Sequence, residues 1–397
     1  MNAPVYLSAR EAATELGVQP ATLYAYVSRG LIRSVPGPGK QRRYDAADVR
    51  ALQTRRDRES GNSGGPLATE GAPTPALETR LTLITEEGPF YRGHRATDLA
   101  RSSSLEAVAT LLWGCRDDPF AGVSAPEDAG LLSLPDGLPP LERLMTRLAT
   151  WPLVDRSASV QTRALLAQKG ARLLLAGVSA LLERPFSTDP VHVQMAEAWG
   201  VTDPAAREAI RAALVLSADH ELNTSAYAVR CGASTRAPLH ACLLAGLGAF
   251  SGPRHGAHSD RVLAWLKDVD EPDTVAPLFR DRLERGEDLP GFGHMLYAGP
   301  DPRATCLLDL IRTPSASGLF LESLPTVIAA AEDMYGLAPN IDFALAALQR
   351  ACGLPRAAPK LLFCAGRLVG WIAHAMEQYE QPALIRPRAA YVGPRPA

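Results

Sequence analysis

Asp219-His220-Glu221-Leu222-Asn223, Gly252-Pro253-Arg254-His255-Gly256, Gly291-Phe292-Gly293-His294 and Asn340-Ile341-Asp342 are the stretches on which the reading of this 397-residue chain turns. Each sets a titratable side chain beside glycine or asparagine. Histidine titrates near neutrality, so small environmental tuning makes it a donor, a cation or a proton carrier. Aspartate supplies a base. Asp301-Pro302-Arg303 follows the third stretch, and Arg367 and Arg386 add permanently charged forks suited to anionic groups. This combination predicts an enzyme site for a small polycarboxylate.

In order and spacing these stretches resemble the citrate synthase family over about residues 78–394, beginning with Tyr91-Arg92-Gly93-His94 and ending with Gly370-Trp371-Ile372-Ala373-His374 and Arg386-Pro387-Arg388. The resemblance implies a mainly α fold of large and small helical domains. It also implies condensation of acetyl-CoA with oxaloacetate to give citrate and free CoA. In that resemblance His255, His294 and Asp342 are catalytic, and His220, Arg303, Arg367 and Arg386 bind the keto acid. The last arginine, Arg386 or its neighbour Arg388, would come from the second subunit of a homodimer. Leu289, Pro290, Gly291, Phe292 and Gly293 would face the CoA ester, a co-substrate; no bound cofactor and no metal are expected.

His255 is expected at a helix start, where the dipole disfavours its protonation. Asp342, in the first turn of another helix, is expected to stay ionised. The chain also departs from the family. Met295 and Ala298 stand where positive charges would meet CoA phosphates, and His258 is an extra polar group near the site. The stretch between Cys115 and Asp203 is short and lacks the family's His-Pro-Met segment. Two other readings remain open. One is a transcriptional regulator that senses metabolites through the same pocket. The other is 2-methylcitrate synthesis from propionyl-CoA, since one methylene changes specificity by only about 1–3 kcal/mol.

A 46% hydrophobic and 21% charged composition excludes a disordered chain, and the low aromatic share of 6% favours helices. The six cysteines show no paired metal spacing, which predicts reduced cytosolic thiols. The apolar run Leu173–Leu182 is far below bilayer length, so a cytoplasmic protein with no membrane partner is expected.

Basic character is confined to the first 60 residues, where ten Lys and Arg stand against six Asp and Glu. Residues 1–58 read as their own unit. Ser8 can cap a first helix, Pro20 opens a second with Leu23 and Val27 on one face, and Gly30 ends it. Leu31 to Tyr44 reads as a two-stranded wing, after which Asp45 starts a third helix. This unit resembles the excisionase and MerR-like winged helix-turn-helix domains. By that resemblance Gln19, Thr22 and Tyr24 would lie near a major groove, and Lys40, Arg42 and Arg43 would meet DNA phosphates. Residues 59–77, rich in Gly, Pro, Ser and Thr, read as a flexible linker, and 78–397 as the catalytic body.

Overall fold

The computed structural model describes residues 6–9, 12–13, 16, 18, 20–36, 42–45, 48–49 and 52 near the N-terminus, and 77–126, 134, 137–269, 271–297, 299–312 and 319–387 beyond them. Contacts divide the chain into two compact units, one within residues 1–76 and one spanning Leu77–Pro387.

In the N-terminal unit the helix Pro20–Ser28 buries Leu23 and half-buries Val27. Gly30, at φ +73°, then turns the chain in the left-handed region glycine tolerates. Leu31 is exposed and Ile32 buried as the chain enters β2, Ser34–Pro36, which pairs antiparallel with β3, Arg42–Asp45. The expected wing is therefore present, but β3 also pairs with a strand β1, Tyr6–Ser8, so three strands form. Ser8 ends a strand with helical Ala9 directly after it, and Asp45 closes another while its Oδ1 accepts from the Asp48 N–H at 3.3 Å, where helix follows. Thr22 and Tyr24 are exposed on the helix, as are Arg42 and Arg43 on β3; Gln19 and Lys40 lie outside the described residues.

The larger unit opens with a meander of β4 Thr82–Thr85, β5 Gly88–Tyr91 and β6 His94–Arg95. Helices follow to residue 380. The long helix Ala358–Glu380 is buried along most of its length and packs against the helices Leu105–Trp113, Arg163–Leu182, Pro204–Leu216, Thr224–Ser234 and Leu239–Phe250. A second group, His258–Leu266, Pro272–Glu284, Pro302–Ile311, Leu319–Tyr335 and Ile341–Cys352, packs mainly on itself. The sequence Leu165–Leu182 is long and apolar enough to cross a membrane by length and composition, longer than the run noted in the sequence. It carries Lys169 and Arg172, and 61% of it is buried within the fold, as befits a core helix.

Gly370 lets the long helix approach the end of Pro204–Leu216. A Cβ there would collide with the Ala218 carbonyl and the Asp219 side chain, and the Gly370 N–H donates to Ala218 O at 3.1 Å. This contact fixes the turn that carries His220.

Candidate active site

His220 lies between the helices Pro204–Leu216 and Thr224–Ser234, in the turn that joins them. The Asp219 carboxylate shapes that turn: Oδ2 accepts from the Glu221 N–H at 3.2 Å and from Thr82 Oγ1 at 2.5 Å. Glu221 takes φ 54°, a conformation uncommon outside glycine. Burial alone would raise the Asp219 carboxyl, but His374, Arg367 and Thr82 hold it below the usual carboxylate range. The buried His220 ring places Nε2 2.9 Å from the Tyr297 hydroxyl and meets His294 edge-on at 5.2 Å between centroids. Burial, with Arg303 and His294 adding to it, pushes its pKa well below normal. The ring is neutral.

His294 follows Gly291 and Gly293, which adopt φ +92° and +77°. The loop is pinned. Gly293 N–H donates to Ala338 O at 2.7 Å, Asn340 N–H to Gly291 O at 2.9 Å, and Asn340 Nδ2 to Gly293 O at 3.0 Å. The segments bearing His294 and Asp342 are thereby laced together. Burial, helped by Arg303, lowers the His294 pKa to about 4. Because the Leu296 N–H donates to His294 Nδ1 at 3.0 Å, the neutral ring carries its proton on Nε2. His294 is a neutral donor.

His255 stands three residues before the helix His258–Leu266, with Nε2 2.7 Å from Ser225 Oγ. Ser225 also reaches Asn223 Oδ1 at 2.7 Å and accepts from Trp371 Nε1 at 3.1 Å. The His255 pKa is lowered to about 4. The neutrality expected from a helix dipole therefore has a different main cause: burial first, then the charge of Arg367.

Asp342 sits in the first turn of Ile341–Cys352, which Asn340 caps by accepting from the Asp342 and Phe343 N–H groups at 3.0 and 3.4 Å. Its Oδ1 is buried with no hydrogen-bond partner among the described residues. The helix start does not depress its pKa: burial pushes it up to about 6, against the opposing pull of His258, Arg303 and Arg367, which still leaves it ionised at pH 7.

Two of the three arginines are buried among these groups. Arg303 is buried and forks onto Asp301, Nε to Oδ1 at 3.0 Å and Nη2 to Oδ2 at 2.7 Å. Arg367 is also buried; Nε donates to Ser217 O at 3.0 Å, its guanidinium lies 4.9 Å over the Phe363 ring, and Nη2 has no partner among the described residues. Burial lowers its pKa to about 10, so it remains a cation, and its charge reaches His220, His255, Asp219 and Asp342. Arg386 is exposed beyond the long helix and is not part of this cluster within one chain; Arg388 lies outside the described residues.

Beside the cluster lies a cavity of about 450 Å³ lined by His258, Leu289, Pro290, Phe292, Tyr335 and Leu337, with Glu287 and Asp288 at its edge. It contains three of the five residues expected to face CoA. Met295 is 82% exposed, and Ala298 lies outside the described residues. No group of three or more His, Cys, Asp or Glu fit to hold a metal ion occurs among the described residues.

Sequence reasoning gave no role to Tyr297, Phe363, Asp219 or Asp301. Tyr297 and Phe363 carried a faint signal: the first is three residues past His294, and the second is one helical turn before Arg367. Asp219 and Asp301 sit inside stretches already singled out, beside the residues they hold.

The family model for the citrate synthase C-terminal domain matches residues 124–388, and that for a helix-turn-helix domain matches 6–57. The chain is 32% identical over 353 residues to the citrate synthase of Haloferax volcanii, covering 80% of this chain and 93% of that one. It is 29% identical over 340 residues to 2-methylcitrate synthase 1 of Corynebacterium glutamicum, covering 76% and 88%. The crystal structure of citrate synthase from Thermotoga maritima superposes with a TM-score of 0.67 at 25% identity, covering 82% of this chain and 95% of that one. With its mainly helical fold, an N-terminal helix-turn-helix and these matches across the body, the chain belongs to the citrate synthase family, as a citrate synthase-like enzyme.

Proposed function

We propose that the protein condenses acetyl-CoA with oxaloacetate, releasing citrate and free CoA. The observation that carries this is Asp342: a buried carboxyl with an oxygen unpartnered among the described residues, raised to about 6, on a segment hydrogen-bonded to the loop that bears His294. A base with a pKa just below neutrality is ionised at pH 7 yet basic enough for a carbon acid. Asp342 takes a proton from the thioester methyl. His255, its ring held by the 2.7 Å bond between Nε2 and Ser225 Oγ, stabilises the forming enolate. The enolate attacks the oxaloacetate carbonyl, whose oxygen gains negative charge opposite the Nε2–H of His294. Arg303, Arg367 and His220 hold the dicarboxylate, and hydrolysis of the citryl thioester completes the reaction. The CoA ester occupies the cavity beside His258 and the 289–293 loop.

Further parts of the reading have narrower support. The exposure of Arg386 fits a homodimer in which each subunit lends this residue to the other. The similarity to a 2-methylcitrate synthase supports propionyl-CoA as an alternative acyl donor. The helix-turn-helix match supports a second role as a DNA-binding regulator, with exposed Thr22, Tyr24, Arg42 and Arg43 as contacts, together with Gln19 and Lys40. The test is release of free thiol from acetyl-CoA or propionyl-CoA in the presence of oxaloacetate. Oxaloacetate binding without thiol release from either ester would favour the sensor over the enzyme.

A further inference from the structure

Behind His220 runs a buried polar chain, none of whose residues lines the cavity at His258. Asp219 Oδ1 accepts from His374 Nε2 at 3.1 Å, and His374 Nδ1 accepts in turn from Arg230 Nε at 3.3 Å. The His374 proton is therefore on Nε2, donated to Asp219. Arg230 pairs with Glu377 and donates from Nη1 to Glu78 O at 3.0 Å, while Glu377 accepts from Thr79 Oγ1 at 2.9 Å and from the Arg80 N–H at 2.7 Å. Arg230, His374 and Asp219 are all fully buried.

Such a chain is costly to bury, and well-packed apolar side chains of similar volume often fold as well or better. What apolar groups could not do is hold the Asp219 carboxylate with both oxygens engaged, Oδ1 by His374 and Oδ2 by Thr82 and the Glu221 N–H. That grip sets the turn in which His220 lies between Asp219 and the left-handed Glu221. The output of the network is the placement of one imidazole.

We propose that Asp219, His374 and Arg230 are positioning residues for His220, acting through the 219–221 turn without touching substrate. That His220 binds the keto acid rests on the function proposed above; that its ring is placed by this network does not.

The test uses full-length protein and two substitutions at one site. His374→Leu removes the donor to Asp219, while His374→Gln keeps an amide donor and a carbonyl acceptor. Two readouts are taken: the imidazole nitrogen resonances of His220, assigned by their loss in His220→Asn, and the KM for oxaloacetate in the thiol-release assay. For His374→Leu we expect a displaced His220 resonance and an oxaloacetate KM raised about tenfold, with the acyl-CoA KM within about twofold of wild type. His374→Gln should restore both readouts most of the way. A His220 resonance unmoved in folded His374→Leu overturns the proposal, as does a Gln variant no closer to wild type than Leu. Absence of thiol release from wild type would refute the proposed reaction, while the resonance comparison would still decide the positioning role. If His374→Leu does not fold, Thr82→Val loosens the other Asp219 oxygen, and an unmoved His220 resonance there overturns the proposal equally.

Discussion

Asp342→Asn is expected to make the protein more stable at neutral pH while removing most of its turnover. The carboxyl ordinarily titrates at 3.8 and is pushed up to about 6 by burial, so the folded protein holds this proton more tightly than the unfolded chain does. Below about pH 4 both states are protonated and there is no penalty. As pH rises from there toward 6 the unfolded chain gives up its proton first, and stability falls. Above about 6 the penalty is complete. At about 1.4 kcal/mol per tenfold difference in proton affinity it reaches about 3 kcal/mol.

Asparagine removes the charge but leaves a carbonyl where Oδ1 has no partner, a cost of about 1 kcal/mol that reduces the net gain to about 2 kcal/mol. For a body of about 310 residues, unfolding entropy of about 2 cal/mol/K per residue makes that a rise of about 3 °C. Calorimetric melts of wild type and variant at pH 7.5 and pH 4.5 measure it, and the difference should vanish at the lower pH. Thiol release should fall at least about 10²-fold with oxaloacetate binding close to wild type. A variant that melts below wild type at pH 7.5, or whose gain is the same at both pH values, refutes the assignment of a destabilising buried charge to Asp342.

The pH profile of kcat/KM should show one acid limb near 6, from Asp342, and none between 6 and 8 from His255 or His294, both lowered to about 4; a limb above 7 would place the base elsewhere. Gly370→Ala drives a methyl into Ala218 O and Asp219 and is expected to cost about 2–3 kcal/mol and raise the oxaloacetate KM, whereas Gly248→Ala, facing open space, should leave both unchanged or slightly improve stability. A fragment of residues 78–397 should fold and keep the activity of the full chain, while one starting at residue 83 loses the Thr79, Arg80 and Thr82 bonds and should melt lower with a higher oxaloacetate KM. Duplex DNA binding should weaken steeply with salt, and neutralising Lys40, Arg42 and Arg43 together should flatten that slope; sequence selection that enriches no site at low salt excludes DNA reading.

The site was legible where its chemistry is local. Asn223, Asp301 and Asn340 each cap a helix through a side-chain oxygen, and each lies within three residues of a site residue, so a short motif carries both the turn and the reactive group. The same holds for the N-terminal unit, whose helix and wing strands follow from Pro20, Gly30 and the Pro36-Gly37-Pro38-Gly39 sequence. What could not be read is what depends on distant packing. The strand Tyr6–Ser8 joins the sheet only by pairing with Arg42–Asp45, nearly forty residues on. Tyr297 acquires meaning only when His220 is brought against it from a different element. The causes of the pKa shifts were misjudged for the same reason: dipole arguments see the helix a residue belongs to, whereas burial is the work of every element around it.

Four helix starts supply the site: Thr224–Ser234 after His220, His258–Leu266 after His255, Pro302–Ile311 with Arg303, and Ile341–Cys352 with Asp342. Each start carries about half a positive charge, so together with the cations of Arg303 and Arg367 they make a site that attracts anions and resists protonation of imidazoles. Such a field would suit the proposed dicarboxylate and enolate, and it adds to the burial that keeps three histidines neutral. Taken alone, the same field would also depress Asp342 and make it too weak a base. Burial overrides it, and the carboxyl ends up at about 6. The group proposed to accept a proton from carbon is thus one whose charge the fold accommodates poorly, which is why substitution at this position is expected to trade turnover for stability instead of losing both.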